Sequence, residues 1–226
     1  MYVCLFDIDG TLVSSGGAGK AAMDAALLSA FGVRHGTDGV PFSGRTDRSI
    51  LRDLFRKNGI EETDANRERF LAEYLQHLPT TLQSHPGRVL PGIAVLLEQL
   101  QRHGQVVLGL LTGNIRHGAR IKLGHFGLFE HFAFGGFGDL HHERDDVARE
   151  AFTLVERHLA APPIADRLWV IGDTPLDVRC ARAIGAQVVA VATGVHGLDE
   201  LAASHPDLLM ADFSDPEPLL RRLATS

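Results

Sequence analysis

The sequence predicts a doubly wound α/β fold, built on a parallel sheet, with a small all-helical unit inserted after the first strand. Three observations lead there. Beyond about residue 88, short runs that are apolar on both faces alternate with helical stretches, as in a parallel sheet covered on both sides. Between about Gly17 and Gln83 apolar residues recur at three- and four-residue spacing, and no strand candidate of any length interrupts them. Polar clusters directly follow three of the strand candidates: Asp7 and Asp9, Thr112 to Asn114, and Asp173 with Asp177.

In chain order, Tyr2 to Phe6 is a strand that runs straight into Asp7-Ile8-Asp9-Gly10-Thr11. Helices are predicted over Ala18–Phe31, Asp47–Asn58 and Asp64–Leu78, the first two separated by Gly, Pro and polar residues between Gly32 and Gly44. After Pro86-Gly87 come a helix (Pro91–His103), a strand (Gln105–Leu111), a helix (Arg116–Phe126) and a weak strand around Phe132–Phe137. A helix over Asp145–Leu159 leads to the strand Leu168–Ile171, and the helix Leu176–Ile184 to the strand Gln187–Ala192. A short strand, Leu208–Met210, precedes a terminal helix from Glu217. The predicted division is an α/β core of residues 1–14 and 88–226, with residues 15–87 as the helical insertion.

Composition excludes several function classes. The 226 residues are 45% hydrophobic and 22% charged, ordinary for a globular chain. A formal net charge of −6 gives no basic field for nucleic acid or an anionic membrane. The longest stretch free of Asp, Glu, Lys and Arg, Ala183 to Leu198, is too short and polar to cross a bilayer. Asp7 ends the N-terminal apolar run and no basic region precedes it, so no signal peptide is expected. Cys4 and Cys180 lie in apolar surroundings and read as buried free thiols of a reducing compartment, which places the expected location in the cytoplasm.

In an open parallel sheet, ligands bind at the carboxyl ends of strands, near the point where strand order reverses. The three polar clusters therefore converge on one crevice. Carboxylates gathered there repel one another unless a cation neutralises them, and an all-oxygen site with few protein ligands suits Mg²⁺.

Asp7-Ile8-Asp9-Gly10-Thr11-Leu12, Thr112-Gly113-Asn114 and Gly172-Asp173-Thr174-Pro175-Leu176-Asp177 resemble, in order, the motifs of the haloacid dehalogenase-like hydrolase superfamily. The likeness extends over essentially the whole chain, since the insertion falls where that superfamily carries a small helical cap on its Rossmann-like core. The phosphoglycolate phosphatase-like branch is the nearest in appearance. The resemblance implies an Mg²⁺-dependent phosphomonoesterase acting on a small, phosphoglycolate-like phosphate ester through an aspartyl-phosphate. By the same resemblance Asp7 is the nucleophile and Asp9 the general acid and base. Asp7, the backbone carbonyl of Asp9 and Asp173 hold Mg²⁺, with Asp177 supporting or ligating. Thr112 and the nearby backbone of Gly113 and Asn114 bind the phosphoryl oxygens. The dehalogenases typically lack the second aspartate, because a halide leaves without a proton, so Asp9 favours phosphate chemistry.

The family also expects a Lys-Pro or similar basic element before the helix leading to the third motif. No Lys-Pro occurs here; Arg144 is the first candidate, Arg149 the second and Lys122 the third. Other features have two readings. Asp173 and Asp177 sit where carboxylates also cap helices. Arg45, in Gly44-Arg45-Thr46-Asp47, suits either the surface or contact with a substrate anion, and Thr46 suits a helix cap. Gly16-Gly17-Ala18-Gly19-Lys20 imitates a phosphate-binding loop, but Ser14 stands where glycine is needed and Ala21 where Ser or Thr is needed. His141-His142-Glu143 lacks the spacing of a zinc helix and reads as a solvated loop. Two rival functions remain: a phosphosugar mutase of the β-phosphoglucomutase type, which shares both aspartates, and a non-catalytic regulatory module. A monomer or a homodimer suits either.

Overall fold

The computed structural model describes residues 1–102, 104–160 and 163–224. β1 (Tyr2–Phe6) is buried along its whole length. A tight loop leads to β2 (Val13–Ser14), after which α1 (Ala18–Phe31), α2 (Asp47–Lys57) and α3 (Asp64–Ser84) form the insertion. The chain returns through β3 (Arg88–Val89). It continues as α4 (Ile93–Arg102), β4 (Val106–Leu111), α5 (Arg116–His125), β5 (Phe134–Gly136) and α6 (Arg144–Leu159). The last part is β6 (Leu168–Gly172), α7 (Pro175–Ala183), β7 (Gln187–Val191), α8 (Leu198–Ala202), β8 (Leu208–Met210) and α9 (Glu217–Ala224).

Six strands make one parallel sheet in the order β5-β4-β1-β6-β7-β8. Strand alternation sorts the core. Tyr2, Cys4 and Phe6 face α4, α5 and α9 with Leu97, Leu123 and Leu219. Val3 and Leu5 face α6 and α7 with Val147, Ala151 and Val178. Successive strands fill one side of β1 and then cross to the other, so strand order reverses at β1. The loops after β1, β4 and β6 open there onto a common crevice.

α1–α3 pack around their own apolar cluster, which includes Leu27, Leu54, Phe55, Phe70 and Tyr74 and takes in Ile115 from the start of α5. β2 and β3 pair antiparallel, Val13 with Val89 and Ser14 with Arg88, so the segments leaving and re-entering the core run side by side.

Most predicted elements recur with ends shifted by a few residues, and the differences have physical causes. α3 runs through Pro79 to Ser84, where the sequence suggested a stop at Leu78. The buried stripe Phe70, Tyr74, Leu78 and Leu82 continues past the proline, and its packing outweighs one missing N–H. The weak strand contracts to Phe134–Gly136, because a helical turn at Phe129–His131 occupies the residues before it. α6 begins at Arg144, which therefore lies on the helix and not ahead of it. β2, β3 and α8 were not anticipated. His103, the predicted end of α4, lies outside the described residues.

Candidate active site

Asp7 follows β1 directly, and its N–H donates to Ile171 of β6 at 2.9 Å, which holds it at the strand end. The loop then closes tightly, with the N–H groups of Thr11, Leu12 and Val13 all donating to Ile8 C=O. Gly10 makes this possible: its φ is +87°, and a Cβ there would collide with the Asp173 carboxylate. Thr11 Oγ1 donates to Asp173 Oδ1 at 3.0 Å and Thr193 Oγ1 to Gly10 C=O at 2.6 Å, tying together the loops after β1, β6 and β7. Thr174 caps α7 and forms a capping box with Asp177, with Pro175 opening the helix.

Asp7, Asp173 and Asp177 are buried, and one carboxylate oxygen from each lies within 4.8 Å of the others. They are the one group of His, Cys, Asp or Glu side chains among the described residues with that geometry. Burial, opposed by Arg144 and reinforced by Asp177, pushes Asp7 up to about 6. Burial and both neighbouring carboxylates raise Asp173 well above its ordinary value. Clustered oxygen donors that resist ionisation for want of positive charge fit a hard divalent cation such as Mg²⁺. Asp177 is the most committed of the three. Its Oδ2 accepts from the N–H and hydroxyl of Thr174, and its Oδ1 is bound by Arg144.

Two basic side chains enter the site, on opposite sides. Arg144, 4% exposed, bridges Asp177 and Asp7, with its Nη1 3.5 Å from Asp7 Oδ1. Its Nε is buried without a hydrogen-bond partner among the described residues. Lys122 reaches the other aspartate, with Nζ 2.6 Å from both Asp9 Oδ2 and Asn114 Oδ1. Asn114 Nδ2 donates to Asp9 Oδ2 and to Thr112 Oγ1, each at 2.9 Å. Burial opposes ionisation of Asp9, but Lys122 and these hydrogen bonds hold it below its ordinary value. Asp7 and Asp9, two residues apart, thus occupy contrasting electrostatic settings.

The insertion is fastened to the loop after β4. Asp47 N–H donates to Gly113 C=O at 2.7 Å, and Ile115 N–H donates to Asp47 Oδ2 at 2.9 Å. Ile115 precedes α5 and offers no capping side chain, so Asp47 caps α5 from another element. A Cβ at Gly113 would strike the Arg45 backbone, which sets how close the two loops come. Thr46, besides capping α2 at Ser49 N–H, donates to His142 C=O at 3.0 Å.

Burial pushes Asp47, like Asp7, up to about 6. Between the ordinary unfolded value near 4 and that folded value, the folded chain binds more protons. Stability is therefore gained on acidification and lost as pH rises through about 6. His142, lowered by burial and neighbouring arginines, acts in the opposite sense and offsets part of the gain. The melting temperature of metal-free protein should rise by roughly several degrees from about pH 7.5 to 5.5. Asp47→Asn should flatten that slope and Mg²⁺ should raise the neutral end. A wild-type melt that falls on acidification would contradict this assignment of the buried carboxylates.

The structure brings Asp7, Asp9, Gly113, Asn114, Arg144 and Asp173 to one crevice, with Thr112 and Asp177 fully buried beside it. Arg45 lines the same space, but its guanidinium is turned to Asp53 at 2.7 Å and to the carbonyls of Pro41 and Ser49. Arg149 is exposed on α6 and pairs with Asp146, away from the crevice. His141 pairs with Glu150 and His142 lies against Arg48, with no metal grouping there. Asp47 went unnoticed as a site residue because an acidic residue opening a helix is ordinary. Tyr74 was hidden among core positions; only its buried, unpartnered hydroxyl sets it apart.

Known proteins resemble the chain in sequence and in fold. The chain is 24% identical over 219 residues to a phosphoglycolate phosphatase from Photorhabdus laumondii, covering 93% of this chain and 88% of the relative. It is 25% identical over 215 residues to the pyrophosphatase PpaX of Oceanobacillus iheyensis, covering 93% and 92%. Among solved structures, a hydrolase from Pseudomonas syringae superposes with a TM-score of 0.71 at 23% identity, covering 99% of both chains. The sequence profile of haloacid dehalogenase-like hydrolases matches residues 4–182. That span runs from within β1 almost to the end of α7 and contains every carboxylate of the crevice together with Arg144 and Lys122, so the chain belongs to the haloacid dehalogenase-like hydrolase family.

Proposed function

We propose that this protein is a Mg²⁺-dependent phosphomonoesterase that passes the phosphoryl group of a small ester to Asp7 and then to water. It is an enzyme, a phosphatase of the haloacid dehalogenase-like family. The observation that carries the detailed reading is the separation of two aspartates onto two bases: Asp7 beside Arg144, and Asp9 on Lys122 and Asn114. Neighbouring carboxylates held in different environments take different chemical roles.

The bound cation, held by Asp7, Asp173 and the backbone carbonyl of Asp9 with Asp177 behind them, would offset the repulsion between carboxylates and phosphoryl oxygens. Arg144, whose Nη1 lies 3.5 Å from Asp7 Oδ1, takes a phosphoryl oxygen, and Thr112 and the amides beside it take others. A carboxylate oxygen of Asp7 attacks phosphorus as the bond to the ester oxygen breaks. Asp9 rests ionised, and the arriving phosphoryl anion raises its proton affinity. Once protonated, it gives that proton to the departing alkoxide. As a carboxylate again, it takes a proton from the water that attacks the phosphorus on Asp7, releasing phosphate and restoring the nucleophile. The insertion, latched through Asp47, serves as the cap that excludes water and selects the alcohol.

Free, buried Cys4 and Cys180 support a reducing compartment, the cytoplasm. No described helix is long and apolar enough to cross a membrane. The test is phosphate release from a panel of small phosphomonoesters, together with phosphoglycolate and pyrophosphate, with Mg²⁺ and after chelation. Release that depends on Mg²⁺ is expected. Turnover indifferent to chelation removes the metal from the reading. No release, with a sugar phosphate isomerised instead, replaces it with a mutase.

A further inference from the structure

We infer that the leaving alcohol this site selects is uncharged and apolar, of the size of an aromatic ring, and carries no second anionic group. The inference rests on the phosphatase reading above and concerns the chamber behind the reacting phosphoryl group. The crevice as a whole, its reacting end included, has a volume of about 470 Å³, within the range of sites for drug-sized ligands. A phosphate with two carbons leaves most of it empty. Its wall on the insertion side carries Met23, Phe42, Ile50 and Tyr74 among glycines and the polar Ser43, Arg45 and Asp47, and Val195, 77% exposed, stands at the rim.

The charges of the chamber point the same way. A second anion on the substrate needs a cation not already engaged, and the cations lining the space are spoken for. Arg45 is held by Asp53 and two carbonyls, within 3.2 Å or closer. Lys122 is bound to Asp9 and also faces Asp47. Arg144 belongs to Asp7, Asp177 and the phosphoryl group. Lys20 remains, half-exposed and 4.0 Å from Asp38, where a solvated ammonium adds little selectivity. A carboxylate or second phosphate in the chamber would meet the half-exposed Asp9 and the buried Asp47, with only the solvated Lys20 to answer it, at a desolvation cost. A ring would exchange water for Met23, Phe42 and Ile50.

The experiment compares kcat/KM for 2-phenylethyl phosphate, ethyl phosphate and phosphoglycolate with the Mg²⁺-loaded enzyme, alongside Asp7→Asn. The first two release primary alkoxides of similar basicity, so their ratio reports the chamber and not the chemistry. 2-Phenylethyl phosphate is expected to exceed ethyl phosphate by roughly ten- to a hundredfold, with phosphoglycolate no better than ethyl phosphate. Phe42→Arg, which places a cation in the apolar wall, should shift the ratio towards phosphoglycolate by about tenfold or more. Equal rates for the two alkyl esters, phosphoglycolate as the best of the three, or a ratio unmoved by Phe42→Arg would each overturn the inference and leave the phosphatase reading intact. Absence of release from all three, or release that persists in Asp7→Asn, would overturn the phosphatase reading and this inference with it.

Discussion

Asp7→Asn should lower kcat at least about a thousandfold for every ester the enzyme accepts, because the amide cannot supply the attacking oxygen. The loss should not depend on the alcohol, since the same atom attacks whatever leaves. The fold should survive. Asn has nearly the shape of Asp, and the Asp7 N–H bond to Ile171 that ends β1 is a backbone bond. Metal-free stability at neutral pH should even increase, because a buried carboxylate facing Asp173 and Asp177 is removed. Steady-state kinetics with a thermal melt of the same preparation separates the two effects. A variant within tenfold of the wild type would remove Asp7 from the nucleophile's role, whatever its position.

What the sequence made legible, and what it did not, follows from which residues carry local signals. β1 was readable because five apolar residues end at a charged one, and the sheet buries all five. Thr46 and Thr174 cap helices from positions where their chemistry announces it. β2 and β3 are two residues each and exist through pairing between segments far apart in the chain, Val13 with Val89 and Ser14 with Arg88. No local pattern encodes that. α3 shows the reverse failure: Pro79 is a strong local stop signal, overruled by the packing of Leu78 and Leu82. In the site, Asp177 was open to two readings, a helix cap or a support of the metal; the structure shows the cap through Oδ2 and leaves Oδ1 to Arg144. Arg45 was equally open, and the structure turns its guanidinium to Asp53. Lys122 was the least legible group. Its helix position gives no hint that α5 aims it at Asp9, more than a hundred residues earlier in the chain.

Arg144 and Lys122 present the sharpest remaining division of labour, because a single basic group was expected and two are present. Arg144 touches Asp7 and Asp177, and on the proposed mechanism it would act on the phosphoryl transfer itself; Lys122 touches Asp9 and Asn114 and would act on the proton. Arg144→Met should lower kcat by about 10²- to 10³-fold, with similar losses for an aryl and an alkyl phosphate. It should also destabilise the metal-free protein by roughly 3–5 kcal/mol, since it leaves Asp7, Asp173 and Asp177 without their counter-charge. Activity is therefore read with Mg²⁺ present, on protein shown to be folded by circular dichroism. Arg144→Lys should recover part of the stability but little of the rate, because an ammonium cannot span Asp177 and Asp7 while offering a further donor. Lys122→Met should behave differently. An aryl phosphate, whose leaving group needs little protonation, should lose much less than an alkyl phosphate, which depends on Asp9. If Arg144→Met retains near-wild-type kcat while Lys122→Met loses both substrates equally, Lys122 is the group that neutralises the transferring phosphoryl, and Arg144 is a structural tie between Asp177 and the nucleophile.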